Sequence, residues 1–126
     1  MRYKNNIYKI GDTIIVRDSE SDDLVCKLMK IIPKEGDELH PDWPMIEVLW
    51  FYRKEDIDLE VNKITKELSE SLADNELFET NHKERIFADC IVDHCRILSL
   101  QQYEVEQNLQ PTDFFFRSFY DVHKVA

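Results

Sequence analysis

One run of ten residues constrains the fold more than any other: Ile46-Glu47-Val48-Leu49-Trp50-Phe51-Tyr52-Arg53-Lys54-Glu55. Its β-branched and aromatic residues favour a pleated, half-buried surface, so it reads as a strand. Side chains two apart in a strand share a face. Ile46, Val48, Trp50 and Tyr52 therefore line one side, and Glu47, Leu49, Phe51 and Arg53 the other. Most of the strand is apolar on both sides and needs cover on both. At a rise of about 3.3 Å per residue, Trp50 and Tyr52 start roughly 7 Å apart, the spacing that two walls of an aromatic cage around a small cation would need. The plainer reading is that both rings are core, because large aromatics in strands usually pack inside.

At 126 residues the chain is expected to form one domain, 1–126, that buries about two thirds of its unfolded surface without help from disulfides. Its 33% charged and 43% hydrophobic residues are those of a globular protein. Gly11 and Gly36 are the only glycines, which excludes a glycine-rich phosphate loop of the usual kind. Acidic residues outnumber basic ones 26 to 16, for a net charge of −10. Such an excess repels phosphate backbones, disfavours direct nucleic-acid binding and suits a basic partner. Cys26, Cys90 and Cys95 make no C-x-x-C pair. With no secretory signal and no apolar run approaching 18 residues, the chain reads as an intracellular protein with reduced thiols and no membrane partner.

In chain order, Met1–Ile10 is a lead-in without a clear period, Gly11-Asp12 a turn, and Thr13–Arg17 a strand. An acidic loop follows over 18–23, then a second strand over Leu24–Ile32. Residues 33–44, with Pro33, Gly36, Pro41 and Pro44, form a long loop in which Trp43 serves as an anchor or an exposed contact. After the aromatic strand, Val61, Ile64, Leu68 and Leu72 recur at helical spacing and predict a helix over 59–74. Leu77 and Phe78 are expected in the core, His82–Arg85 in a polar loop, and Ile86–Val92 and His94–Leu100 in strands or one bent strand. Gln101–Asp113 reads as a polar connection, and Phe114–Tyr120 as a buried strand or a hidden interface.

Catalysis finds no support. G-x-S-x-G, H-E-x-x-H and H-x-E with P-C-x-x-C are all absent. His40, His82, His94 and His123 are scattered, and no spacing of His and Cys suggests a zinc set, so no cofactor, metal or catalytic residue is expected.

Four segments in order carry a family resemblance. They are Leu49-Trp50-Phe51-Tyr52-Arg53-Lys54-Glu55-Asp56, then Asn75-Glu76-Leu77-Phe78-Glu79-Thr80-Asn81-His82, then Cys90-Ile91-Val92, then Asp113-Phe114-Phe115-Phe116-Arg117. Together they resemble the bromo-adjacent homology (BAH) family, with its W-x-Y-R-P-E strand end, its E-L-F-x-S-x-H segment, a Cys-x-Val strand and an aromatic closing strand. The 59–74 segment looks several residues longer than the family pattern.

The resemblance implies a chromatin-associated module. In its histone-reading members, the Trp and Tyr of W-x-Y form two walls of a methyl-lysine cage, and an aromatic residue on the preceding strand forms the third. Carried over, the walls are Trp50, Tyr52 and Leu24. Leucine packs on methyl groups but offers no π face, which weakens the cage. Tyr8 and Phe51 are the other rings available to substitute, without support from spacing. The family's histidine and following acid match His82 and Glu84, which would contact the peptide beside the methylated lysine.

The expected fold is mainly β: a distorted barrel or sandwich of short strands with the 59–74 helix packed on it. The expected function is nuclear: binding of a histone tail or nucleosome, with or without methyl-lysine reading. The alternative is a non-reading scaffold that contacts other subunits of an origin-recognition, silencing or remodelling complex, with Trp50 and Tyr52 as core. Whether the chain is a full protein or a domain cut from a longer one stays open.

Overall fold

The computed structural model describes residues 1–17, 23–32, 45–56 and 73–122. Residues 18–22 of the expected acidic loop over 18–23, the Trp43 loop, His40, His123 and all but the last two residues of the expected 59–74 helix lie outside the described residues. The chain divides into two compact units, 1–50 with 83–94, and 51–82 with 95–126.

In the first unit, strands β1 (Arg2–Tyr3) and β2 (Asn6–Ile7) form a small antiparallel hairpin. Lys4 and Asn5 turn it with φ of 47° and 70°, the left-handed pair that matches the twist of two-residue hairpins. Gly11, at φ 96°, makes the predicted turn, and its N–H donates to the Leu28 carbonyl at 2.7 Å. β3 (Thr13–Val16) pairs antiparallel with β4 (Leu24–Ile32), placing Val16 opposite Leu24. β7 (Ile91–His94) lies on the other side of β3. The register shifts between Ile15 and Val16 so that Val92 has no partner, and its side chain is exposed.

β5 (Met45–Arg53) continues the sheet next to β4. Its alternation follows the sequence pattern: Ile46, Val48 and Trp50 are buried, and Met45, Glu47 and Leu49 are half-buried.

In the second unit, the end of β5 runs into a 3-10 turn, Lys54–Asp56, where Asp56 Oδ2 accepts the Arg53 N–H at 2.8 Å. β6 (Glu76–Phe87) contributes its first half here and its last residues to the first unit. His82, Lys83, Glu84 and Arg85, expected in a polar loop, are instead consecutive strand residues, His82 half-buried and the other three solvent-exposed.

The stretch expected as a polar connection holds a short helix, α1 (Leu100–Val105), between β8 (Ile97–Ser99) and β9 (Phe114–Tyr120). β8 and β9 are parallel neighbours, which a tight turn cannot join, and α1 lies on the crossover between them. Ser99 starts α1 with a capping box: its hydroxyl accepts the Gln102 N–H, and the Gln102 side chain accepts the Ser99 N–H. β9 also runs parallel to β6.

Two carboxylates are buried in this unit, each held by an arginine. Glu76 accepts from Arg117 through both oxygens, at 2.6 and 3.1 Å. Asp113 accepts from Arg96 and from the Gln110 N–H. Among the described residues the fold is mainly β, as expected, with α1 as the one α-helix.

Candidate functional site

The antiparallel register of β3 and β4 puts Val16 and Leu24 side by side, and β5 brings Trp50 alongside in the first unit. These three, with Arg17, Glu84, Ile86 and Cys90, line a cavity of ≈ 190 Å³. Trp50 is 8% exposed, so its ring belongs to the core while forming part of the cavity wall. Its indole N–H donates to Glu84 Oε2 at 2.9 Å. That bond satisfies the only polar atom of the indole and orients the Glu84 carboxylate at the wall.

Beside the cavity, Arg17 Nε lies 2.7 Å from Asp23 Oδ1. The hydrogen bond that Arg17 donates to Asp23 raises the guanidinium pKa above its already high ordinary value, so Arg17 is always a cation. The cavity thus combines an indole wall, aliphatic walls, one carboxylate and one neutralised guanidinium. Such a lining suits a compact organic cation, which is attracted by an aromatic face and a carboxylate and tolerated by aliphatic carbon.

The second unit brings Tyr52 and His82 together. The Tyr52 hydroxyl and His82 Nδ1 are 2.7 Å apart, and the rings meet edge to face with centroids 5.9 Å apart. The His82 N–H donates to Thr80 Oγ1 at 3.1 Å. The Tyr120 ring lies 5.7 Å from Tyr52, and both tyrosines pack on the buried Phe78. Tyr52 therefore uses its hydroxyl and part of its ring in contacts of its own unit.

Of the residues singled out from the sequence, Leu24, Trp50 and Glu84 meet in the first unit, and Tyr52 and His82 in the second. The two substitute rings are occupied elsewhere: Tyr8 stacks on His94 with centroids 4.4 Å apart, and Phe51 packs against Phe116 at 6.1 Å. Sequence reasoning missed Val16, Arg17, Ile86, Cys90 and Tyr120. The hairpin register, which makes Val16 the partner of Leu24, was the available signal for the first of these. The thiols of Cys26, Cys90 and Cys95 are free, Cys26 fully buried and the other two partly so. Among the described residues no group of three or more His, Cys, Asp or Glu is placed to hold a metal ion, and no helix is long and apolar enough to cross a membrane.

No curated protein matches the sequence. Among solved structures, the crystal structure of the yeast Rsc2 BAH domain is similar, with a TM-score of 0.71 at 15% identity. The alignment covers 100% of this chain and 51% of that one, so the chain spans about half the length of the protein in that structure. The likeness bears on fold. The sequence itself matches the BAH domain family over residues 6–125, nearly its whole length and all four segments noted above. The chain belongs to the BAH domain family of chromatin-associated binding modules.

Proposed function

We propose that this BAH domain binds a basic histone tail and admits a methylated lysine side chain to the cavity of its first unit, without catalysing a reaction. One observation carries the reading: Trp50 and Glu84, joined by a 2.9 Å hydrogen bond, line the same ≈ 190 Å³ cavity as Leu24. A trimethylammonium group has no N–H to donate, so an indole face and a nearby carboxylate are what can hold it, and Leu24 supplies van der Waals contact to its methyl groups. The net charge of −10 favours a basic ligand. Tyr52 and His82, with their mutual hydrogen bond, are assigned to peptide contact. Residues 1–126 are read as a single domain because the family match runs from 6 to 125, and as nuclear because the family works on chromatin.

The test is calorimetric titration with basic histone-tail peptides, each trimethylated or unmodified, against the protein and Trp50→Ala. Binding that needs both the methyl groups and Trp50 supports the reading. Equal binding of both peptide forms, unchanged by Trp50→Ala, would sink it.

A second reading has its own support. Trp50 is nearly buried with its N–H satisfied internally, and Tyr52 is engaged by His82, Tyr120 and Phe78. Rings so placed also serve a scaffold that contacts other chromatin-complex subunits through its surface. In that case peptide binding is absent and Trp50→Ala lowers stability alone.

A further inference from the structure

Among the described residues, Arg17 is the one cation that lines the cavity of the first unit, a position at odds with a cationic ligand. We propose that the Arg17–Asp23 pair sets the charge preference of this cavity: Asp23 neutralises Arg17, and with the pair intact the cavity prefers a quaternary ammonium over a neutral group of the same shape. The inference rests on the methyl-lysine reading of the cavity and concerns residues that reading does not use.

The geometry is specific. The Arg17 backbone N–H donates to the Cys90 carbonyl at 2.9 Å, and Cys90 is itself a lining residue, so the main chain fixes where the Arg17 side chain starts. From there Nε binds Asp23 Oδ1 at 2.7 Å, with the Arg17 side chain 57% exposed. The aliphatic stem can cover apolar surface while the charged head stays in water beside its partner. Counting charges makes the consequence plain. Among the described residues, Glu84 brings one negative charge, Arg17 one positive and Asp23 one negative, so the described lining with its partner is net −1. Without Asp23 it is net zero, with a mobile guanidinium free to approach the ligand. Val16, Leu24, Trp50 and Ile86 supply no other charge.

Two probes separate charge from shape: a basic histone-tail peptide carrying one trimethyllysine, and the same peptide with carbon in place of the quaternary nitrogen. Both are titrated calorimetrically into the protein, Asp23→Asn, Arg17→Gln, the double variant and Trp50→Ala. The expected result is that Asp23→Asn weakens the trimethyllysine peptide about threefold to fivefold, as a near-surface charge pair allows, and the neutral isostere far less. In the Arg17→Gln background Asp23→Asn should have a much smaller effect, because the charge it screens is gone and only the general attraction of an exposed carboxylate is left to lose. Equal weakening of both probes, or the same loss in both backgrounds, overturns the proposal, since Asp23 then acts only by general attraction. If Trp50→Ala leaves trimethyllysine binding unchanged, the cavity reading fails and this inference with it. Arg17 is exposed, and its backbone bond survives substitution, so Arg17→Gln is expected to fold.

Discussion

Trp50 and Glu84 are 34 positions apart in the chain, yet the indole N–H of one donates to a carboxylate oxygen of the other at 2.9 Å. The bond couples what the cavity recognises to how its wall is built. Glu84→Gln keeps an acceptor for the indole and removes the charge. It should leave the urea midpoint nearly unchanged while weakening a methylated, basic peptide by several-fold. Glu84→Ala should weaken the peptide and also cost about 1 kcal/mol, because the part-buried N–H loses its partner. Chemical unfolding followed by calorimetric titration distinguishes the two variants.

Glu76 has a fully buried side chain whose oxygens both accept from Arg117, Oε1 also accepting the Ala73 N–H at 3.4 Å. Breaking such a pair from the arginine side leaves a buried carboxylate with one long backbone N–H contact and no counter-charge in its ion pair. Arg117→Met should cost about 2–3 kcal/mol, somewhat below the range for fully buried pairs because the guanidinium is partly solvated. Adding Glu76→Gln should recover much of that loss. A double-mutant cycle by urea unfolding gives the coupling, and additive losses would show that the pair is not the source.

The Arg96 guanidinium, followed by the Gln110 N–H, holds the Asp113 carboxyl below its ordinary value of 3.8. A carboxyl lowered in the folded state adds stability that is complete above the unfolded value and is lost as pH falls through the folded one. Acid unfolding should therefore draw on this group only below about pH 3.8. Asp113→Asn should flatten the fall in stability in that window, with little change in slope between pH 5 and 8, as followed by denaturant midpoints across pH.

Ser99 and Gln102 cap the six-residue α1, which is too short to be helical on its own. Ser99→Ala should cost about 1 kcal/mol and raise amide exchange first at the start of α1. Ser99→Asp, which restores an acceptor at the cap, should return most of the protection. Equal exchange in the Ala variant would mean that packing of Tyr103 on Phe115, with ring centroids 4.5 Å apart, holds the helix instead.

Much of this was legible locally. The alternation of Met45–Trp50, the strands at Thr13–Val16, Leu24–Ile32 and Phe114–Tyr120, and the turn at Gly11 follow from residue type and period. The Ser99-Leu100-Gln101-Gln102 capping box is also a local pattern, masked by its many polar neighbours. Charge misled at Lys83–Arg85: three charged residues in a row suggest a loop, but an exposed strand accepts them when its backbone is paired.

By itself, then, the sequence determined the strand periods, the acidic balance and the family pattern, because each depends on neighbours a few residues apart or on sums over the chain. Only the tertiary structure decided that Glu84 bonds Trp50, that Arg17 and Cys90 join Leu24 at one cavity, and that Arg117 meets Glu76. Such contacts are set by strand register and by a β-bulge, where a slip of one residue turns every side chain to the opposite face, and no local pattern encodes which strand lies beside which.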